Sequence, residues 1–208
     1  MTTPLGSLEI IESGQRLAAV RRATRETDIT ARVELDGQGT AAIETGIGFY
    51  DHLLTSLAHH SLIDIRIEAR GDLEVDDHHT VEDVALVLGS AVAAALGDRA
   101  GIQRFGDASV PMDEAVATAV IDLGGRPYAV IDLPFRGERI GALSTQLIEH
   151  ALEAFARTAG ATLHISGTGR NDHHLAEAAF KALARSLRAA CTPDPRRTGV
   201  ASTKGSLG

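Results

Sequence analysis

The sequence predicts an α+β protein made of two halves that share one β-β-β-α-β-α order. The pattern Asp-His-His-x-x-Glu occurs at residues 77–82 and again at residues 172–177. Each copy opens an alanine-rich segment with apolar residues at three- and four-residue spacing, which is typical of a helix. The segments before each copy also follow the same order of strands and one earlier helix. Together these observations indicate an internal duplication, with helices packed against sheets.

The first half begins with alternating segments. Residues 16–27 alternate loosely between apolar and polar side chains, and residues 29–35 alternate well, as half-buried strands do. The turn at residues 36–39, Asp-Gly-Gln-Gly, is predicted to close a hairpin with the following strand. The predicted elements are strands at 16–27, 29–35, 40–45 and 62–69 and helices at 49–60 and 78–96.

The second half repeats this order, and Pro193 and Pro195 end its last helix because proline cannot continue one. Its predicted elements are strands at 103–110, 115–123, 128–133 and 161–165 and helices at 145–158 and 172–190. The predicted division is an N-terminal tail at 1–15, a first half-domain at 16–98, a second half-domain at 99–192 and a C-terminal tail at 193–208 that contributes to the site.

The composition narrows the class of protein. The chain has 208 residues, 44% hydrophobic, and a net charge of −8, which argues against a nucleic-acid or anionic-membrane surface. Cys191 is the single cysteine, so an internal disulfide and a thiolate metal cluster are excluded. No signal-like N-terminal run and no apolar run of about 18 residues is evident. We therefore predict a soluble, cytoplasmic protein.

The repeated histidine pair predicts a metal site. In a helix, His78 and Glu82 are four residues apart and share one face. His79 lies about 100° further round the axis and points elsewhere. The earlier helix of each half also carries one histidine at a matching place. The eight predicted metal ligands are His52, His78, His79, Glu82, His150, His173, His174 and Glu177.

These ligands are predicted to form two metal sites. Each motif keeps its own histidine and glutamate and adds the earlier-helix histidine of the same half, His52 for the first metal and His150 for the second. The outward imidazoles of His79 and His174 cross over to the opposite sites. Four protein ligands on a six-coordinate ion leave two positions for substrate or water. Nitrogen and oxygen ligands without thiolate fit Mn, Fe, Ni or Zn, and ligand type alone does not choose among them.

Further motifs run from about residue 16 to residue 206. They are Arg25-Glu26-Thr27, residues 45–52 (TGIGFYDH), 104–107 (RFGD), 111–115 (PMDEA), 122–128 (DLGGRPY) and 202–205 (STKG). On these motifs and the paired histidines the chain resembles the imidazoleglycerol-phosphate dehydratase family. The resemblance implies two ferredoxin-like halves of the ribosomal S5 domain 2-like fold. It also implies two Mn²⁺ ions per active site and a homo-oligomer of 24 subunits with sites between subunits.

The resemblance implies an activity as well. A hydro-lyase of this family converts imidazole glycerol phosphate to imidazole acetol phosphate plus water in histidine biosynthesis. Two Mn²⁺ ions would bind the ring as imidazolate, and the ring would expel the adjacent hydroxyl through a diazafulvene-like intermediate. Loss of a proton then gives an enol, which becomes the ketone. Glu26 and metal-bound Glu177 are the acid–base candidates; without the resemblance, Glu26 would be an ordinary strand glutamate.

The substrate also carries a phosphate. The substrate-binding residues that the resemblance implies are Glu26, Arg104, Arg126, Lys181, Ser202 and Lys204. Guanidinium groups suit phosphate oxygens because they donate two parallel hydrogen bonds. Simpler interpretations stand beside these assignments. Lys181 follows Glu177 by four residues and could form a helix salt bridge. Arg126 could close a turn, and residues 196–208 could be a disordered basic tail.

Two departures from the family pattern and two rival functions complete the sequence-based interpretation. Residues 169–171 read Gly-Arg-Asn where the family usually has Gly-Lys-Asn, and the segment 166–172 is about one residue short. One rival is a dinuclear metal hydrolase, which would favour carboxylates bridging the metals over this imidazole-rich set. The other is a non-catalytic protein in which metal joins subunits, which would leave Glu26, Arg104 and Lys204 without a role.

Overall fold

The computed structural model describes residues 6–207, which form two main sheets, one small two-stranded sheet and four helices. The first half contains β1 (Leu8–Gly14), β2 (Leu17–Ala23), β3 (Thr27–Glu34), β4 (Ala41–Glu44), α1 (Gly48–Ser61), β5 (Asp64–Gly71) and α2 (His78–Leu96). The second contains β6 (Phe105–Met112), β7 (Ala115–Asp122), β8 (Tyr128–Asp132), β9 (Arg139–Ile140), β10 (Leu143–Ser144), α3 (Thr145–Ala159), β11 (Thr162–Thr168) and α4 (Asp172–Cys191).

The two main sheets have the same strand order. The first is β1-β2-β3-β5-β4 and the second is β6-β7-β11-β8, so the sheets match once β1 is set aside. In the first sheet β5 is antiparallel to β3 and parallel to β4. In the second sheet β11 is likewise antiparallel to β7 and parallel to β8. The predicted α+β class with duplicated halves is confirmed. The boundary near residue 98 stays a prediction.

The predicted hairpin at residues 36–39 is wrong. β5 lies between β3 and β4, and β4 pairs with β5 in the parallel direction. The Asp64 carboxylate at the start of β5 accepts hydrogen bonds from the backbone N–H groups of Gln38 (2.8 Å) and Thr40 (2.7 Å). These two bonds attach the loop between β3 and β4 to β5. They satisfy backbone N–H groups of the loop that would otherwise lack a partner.

The predicted N-terminal tail contains a strand. Residues Leu8–Gly14 form β1, which pairs with β2 at the edge of the first sheet, while residues 1–5 lie outside the described chain. All seven side chains of β1 are exposed. The strand is therefore held mainly by backbone hydrogen bonds, and its sequence lacks the alternation that a half-buried strand would show.

The helices exchange partners between the halves. In the first half, α2 packs across β2 and β3, and its main helix partner is α3 of the second half. In the second half, α4 packs across β6 and β7, and its main helix partner is α1 of the first half. The earlier helix of each half therefore lies beside the motif helix of the other half.

The helix α2 also meets the length and hydropathy expected of a membrane span, which the sequence analysis did not anticipate. However, 67% of the apolar stretch of this helix is buried inside the fold. Its apolar side chains contact the first sheet and α3, so we interpret α2 as a core helix of the globular fold.

Gly89 allows the close approach of α2 and α3. A Cβ atom at this position would lie 2.5 Å from the Phe155 carbonyl oxygen and 3.0 Å from the Ala159 backbone nitrogen. Both atoms belong to the backbone of α3, so no side-chain rotation can make room. The two helices would have to separate if residue 89 carried a side chain.

We expect Gly89→Ala to lower the free energy of unfolding by about 1–2 kcal/mol. Alanine gains about 1 kcal/mol of helix propensity over glycine, but overpacking a tight contact costs roughly 1–3 kcal/mol, and the backbone contact here lies at the severe end. Urea unfolding followed by circular dichroism measures the change, with Ser90→Ala on the same helix as the control. A variant more stable than the wild type would show that the helices separate at little cost.

Candidate active site

One candidate metal group lies between α2 and α3. His78 and Glu82 occupy successive turns of α2, and His150 faces them from α3. The ring centroids of His78 and His150 are 5.1 Å apart, and His150 Nε2 lies 3.5 Å from Glu82 Oε1. One potential ligand atom from each residue lies within 4.8 Å of the others. Among residues 6–207, the buried His150 Nε2 has no hydrogen-bond partner, as expected for an imidazole nitrogen placed to bind a metal.

A second candidate group, of the same composition, lies between α4 and α1. His173 and Glu177 occupy successive turns of α4, and His52 faces them from α1. The Nε2 atoms of both histidines lie 2.9 Å from Glu177 Oε1. The Phe49 ring packs beside the His173 ring, with their centroids 4.8 Å apart. Two imidazoles and one carboxylate are suitable for Mn, Fe, Ni or Zn.

The structure corrects the predicted division of ligands. His52 joins the α4 motif of the second half, and His150 joins the α2 motif of the first. The sequence alone predicts instead that each of these histidines joins the motif of its own half. The reason is the exchange of helix partners, because α1 packs along α4 and α3 packs along α2.

The outward histidines stay outside both groups among the described residues. His79 Nδ1 lies 3.0 Å from Asp72 Oδ2, and His174 Nδ1 lies 2.8 Å from Glu114 Oε2. The predicted divergence of adjacent histidines is therefore seen in both motif helices. Their predicted crossing to the opposite site is not seen within one chain, since neither histidine belongs to either group of the described residues.

Both glutamates of the groups have a lowered pKa. Burial alone would raise the pKa of Glu177, but hydrogen bonds from Lys181, His52 and His173 outweigh burial and lower that pKa to about 2. Burial likewise opposes the shift at Glu82, where the Arg157 guanidinium at 3.0 Å is the largest cause of its lowered pKa. Both carboxylates are therefore ionised at neutral pH, as metal ligands must be.

The lowered pKa of Glu177 predicts how stability depends on pH. The ordinary pKa of a glutamate is about 4.5, and the folded value is lower, at about 2. The ionised carboxylate therefore stabilises the fold above pH 4.5, and this contribution is lost as the pH falls toward 2. In chelated protein, we expect Glu177→Gln to flatten the fall of the unfolding free energy between these values. Acid titration of stability measures it, with exposed Glu9→Gln as control; an unchanged slope in Glu177→Gln would contradict the assignment.

Four of the predicted substrate-binding residues share one cavity. It has a volume of about 260 Å³ and is lined by Arg104, Arg126, Ser202 and Lys204, together with Gly124, Thr203, Ser206 and Leu207. The C-terminal segment thus forms one wall of the cavity, held by backbone hydrogen bonds such as that from Gly101 N to Gly199 O. Three cations and a hydroxyl in one concave site suit a phosphate group.

Arg104 also organises this cavity. Its Nε and Nη2 atoms donate to the Asp122 carboxylate at 2.6 and 2.8 Å, and its Nη1 atom donates to the Ala201 carbonyl oxygen. A guanidinium has five N–H donors, so two remain for a ligand. Arg104 therefore connects the cavity floor to the C-terminal segment and still presents donors.

The other two predicted substrate residues lie elsewhere. Lys181 Nζ donates to Glu177 Oε2, so the helix salt bridge considered from the sequence is present. The Glu26 side chain is 55% exposed, and its Oε2 atom lies 3.9 Å from His79 Nδ1. Within this chain, neither residue lines the cationic cavity.

The comparisons with known proteins agree with these motifs. A family model described as imidazoleglycerol-phosphate dehydratase matches residues 45–187, a range that contains both candidate metal groups. The chain belongs to the imidazoleglycerol-phosphate dehydratase family. It is therefore an enzyme of a hydro-lyase family, as the sequence predicted.

Relatives and solved structures of the family match nearly the whole chain. The imidazoleglycerol-phosphate dehydratase of Methanoculleus marisnigri is 55% identical over 192 residues, covering 92% of this chain and 100% of the relative. That of Gluconacetobacter diazotrophicus is 53% identical over 194 residues, covering 92% and 98%. The Staphylococcus aureus crystal structure has a TM-score of 0.78 at 35% identity, covering 86% and 99%. IGPD from Pyrococcus furiosus in complex with (S)-C348 has a TM-score of 0.78 at 36% identity, covering 90% and 99%.

Four residues that the sequence did not single out as site residues contact predicted site residues: Asp72, Glu114, Asp122 and Arg157. The duplication could have indicated Glu114, because it directly precedes β7 as Glu26 directly precedes β3. Helical spacing could have indicated Arg157, which lies seven residues after His150 and so on the same face of α3. Asp72 and Asp122 lie in segments that match the family, 71–72 and 122–128, but no role was assigned to either residue from the sequence.

Proposed function

We propose that this chain dehydrates imidazole glycerol phosphate to imidazole acetol phosphate in histidine biosynthesis, acting in the cytoplasm. The observation that carries the proposal is the pair of matching ligand groups, each with two imidazoles and one carboxylate. A single duplicated motif supplies both groups, and we propose that in the assembly a group of each kind meets one nitrogen of the same imidazole ring. The family membership supports the dehydratase activity.

The proposed cofactor is Mn²⁺, with two ions per active site. The buried Nε2 of His150, which lacks a hydrogen-bond partner in the described part of the chain, and the ionised state of Glu177 are features that fit a cation. When bound, two such ions would stabilise the substrate ring as imidazolate and so help it expel the adjacent hydroxyl. The chain's own residues hold these ligands: Lys181 occupies Glu177 Oε2, which leaves Oε1 directed at the two histidines.

The acid–base role is proposed for Glu26. Glu177 has a pKa of about 2 and three hydrogen-bonded neighbours, which suits a ligand better than a proton donor. Glu26 is exposed and close to His79, so it can face a substrate bound at the metal that His79 completes. We therefore propose that Glu26 transfers a proton to or from the substrate once a neighbouring copy completes the metal site.

The assembly proposed is a homo-oligomer, of 24 subunits by analogy with the family, with active sites between subunits. Each group in one chain offers three ligands, and His79 and His174 point away from both groups. A fourth imidazole from a neighbouring copy would complete each metal site. Lys181 and the cationic cavity would meet the rest of the substrate only in that assembly.

A direct assay tests this function. Chelated protein with and without added Mn²⁺ is incubated with imidazole glycerol phosphate, and the loss of one water and the appearance of the ketone are followed by mass spectrometry. Mn²⁺-dependent formation of imidazole acetol phosphate is expected. Release of inorganic phosphate would favour a dinuclear hydrolase, and no product with full metal loading would favour a non-catalytic metal-binding protein.

Lys204→Ala tests the phosphate cavity. We expect kcat/KM to fall by about 10–100-fold, the value of a lost charged hydrogen bond, with a higher KM and a lower kcat. Both change because phosphate binding also orients the reacting end. Steady-state kinetics measure the effect. Arg196→Ala, a cation of the same segment that pairs with Asp194 outside this cavity, is the control, and equal kinetics of the two variants would argue against phosphate binding.

A further inference from the structure

The two outward histidines make the same contact in both halves. His79 presents Nδ1 to Asp72, and His174 presents Nδ1 to Glu114. In both cases the carboxylate contacts Nδ1 at hydrogen-bond distance. His174 Nε2 is left 3.8 Å from Asp113 Oδ2, beyond that distance.

The chemical consequence concerns the ring proton. A neutral imidazole has one N–H and one lone pair, and a carboxylate beside Nδ1 holds the proton there. The lone pair then lies on Nε2, which is the nitrogen that faces away from the carboxylate. Metal-binding histidines commonly have such a carboxylate on the second nitrogen, which fixes both tautomer and ring direction.

Glu114 is itself held firmly. Its Oε1 atom accepts hydrogen bonds from the backbone N–H groups of Arg170 (3.1 Å) and Asn171 (2.8 Å), in the loop that leads into α4. The Oε2 atom is the one that faces His174. The carboxylate is thus tied to the start of the helix that carries the histidine, and it cannot swing without breaking both backbone bonds.

A simple surface ion pair is the alternative interpretation, and such pairs contribute only about 0–1 kcal/mol. Three features favour a role beyond that. The contact recurs in both halves, it uses Nδ1 both times, and different segments supply the carboxylate: the loop before α2 for Asp72 and the turn before β7 for Glu114. Chance surface pairing does not explain the same nitrogen in two places.

We propose that Asp72 and Glu114 are positioning residues, each of which keeps the proton of its histidine on Nδ1 and turns Nε2 outward as a metal ligand for a neighbouring copy of the chain. The proposal rests on the proposed function in one respect, that His79 and His174 bind metal. It goes beyond that function by assigning a role to two carboxylates that belong to neither candidate metal group.

Glu114→Gln gives the sharpest test. The two backbone N–H groups require an oxygen, so the amide oxygen stays with them and the NH₂ group faces His174 Nδ1. The imidazole must then accept at Nδ1 and carry its proton on Nε2, where it blocks ligation. Asp72→Asn differs, because among the described residues no other hydrogen bond holds the carboxylate oxygens of Asp72. Its amide can turn the oxygen toward His79, so a smaller effect is expected.

The first readout is nitrogen NMR of chelated, ¹⁵N-histidine-labelled protein above the imidazole pKa. We expect the Nδ1–H tautomer for His79 and His174 in the wild type, and the Nε2–H tautomer for His174 in Glu114→Gln. The second readout is Mn²⁺ affinity by competition with a chelating dye, with an expected loss of about 10–100-fold in Glu114→Gln. Asp113→Asn and Glu74→Gln, which remove nearby exposed charges, are the controls and should keep wild-type affinity.

Either of two results overturns the proposal: an Nε2–H tautomer for these histidines in the wild type, or unchanged tautomer and Mn²⁺ affinity in Glu114→Gln. The wild-type spectrum needs no variant, so a variant that folds poorly does not prevent a decision. Neither readout uses substrate. A chain without dehydratase activity would contradict the proposed function and leave this inference to be judged by tautomer and affinity.

Discussion

Replacing His52 and His173 together is expected to remove one metal ion per chain, whereas replacing His52 and His78 together is expected to remove both. The reason is the geometry of the two groups, because His52 shares Glu177 with His173 and has no ligand in common with His78. Each single alanine variant should lose one metal. Since a metal contributes several kcal/mol to such a reaction, turnover should fall by about 1000-fold or more in every case.

Elemental analysis after gel filtration, together with the dehydration assay, measures both effects. His59→Ala, on α1 but outside both groups, is the control and should keep two metals and full activity. The opposite pattern, with one metal kept in the His52/His78 double variant and none in the His52/His173 variant, would restore the division predicted from the sequence.

The second large effect concerns assembly. We expect chelation to convert the protein into a smaller, inactive species, and added Mn²⁺ to restore mass and activity together. Any ligand that binds only the assembled state favours assembly, and removing it favours the separate subunits. His79→Ala and His174→Ala should favour the small species even with Mn²⁺ present, because each removes an imidazole that we propose binds metal in a neighbouring copy of the chain.

Light scattering of chelated, reloaded and variant protein measures the masses. His164→Ala is the matched control, since this exposed histidine on β11 lies in neither group. Chelated protein that keeps its full mass, with the absence of metal verified, would mean that metal does not join the subunits.

Much of the fold could be predicted because its signals are local. The predicted helix at 78–96 coincides with α2, and the predicted helix at 172–190 differs from α4 by one residue. Alternation likewise located the half-buried strands. β1 was missed because all its side chains are exposed, and a strand exposed on both faces has no alternation of apolar and polar residues to detect. The pairing of β4 with β5 also escaped prediction, since it depends on contacts between distant segments.

The cationic cavity is also formed by residues that are distant in the sequence. Arg104, Arg126, Ser202 and Lys204 could be named from the sequence, but only the fold brings residue 104 beside a segment about 100 residues later. The partner of Arg104, Asp122, follows from strand register, since Phe105 pairs with Asp122 across β6 and β7. Such neighbours are set by sheet pairing and are not visible in a linear motif.

The sequence by itself determined the candidate ligand types, the shared face of each histidine–glutamate pair and the divergence of the adjacent histidine from that face. These follow from the helical repeat of 3.6 residues per turn, which acts within a few residues. Only the tertiary structure decided which half supplies the third ligand of each group. That choice depends on α1 burying its apolar face against α4, and α3 against α2. Both packings join residues more than 60 positions apart, and local periodicity carries no information about them.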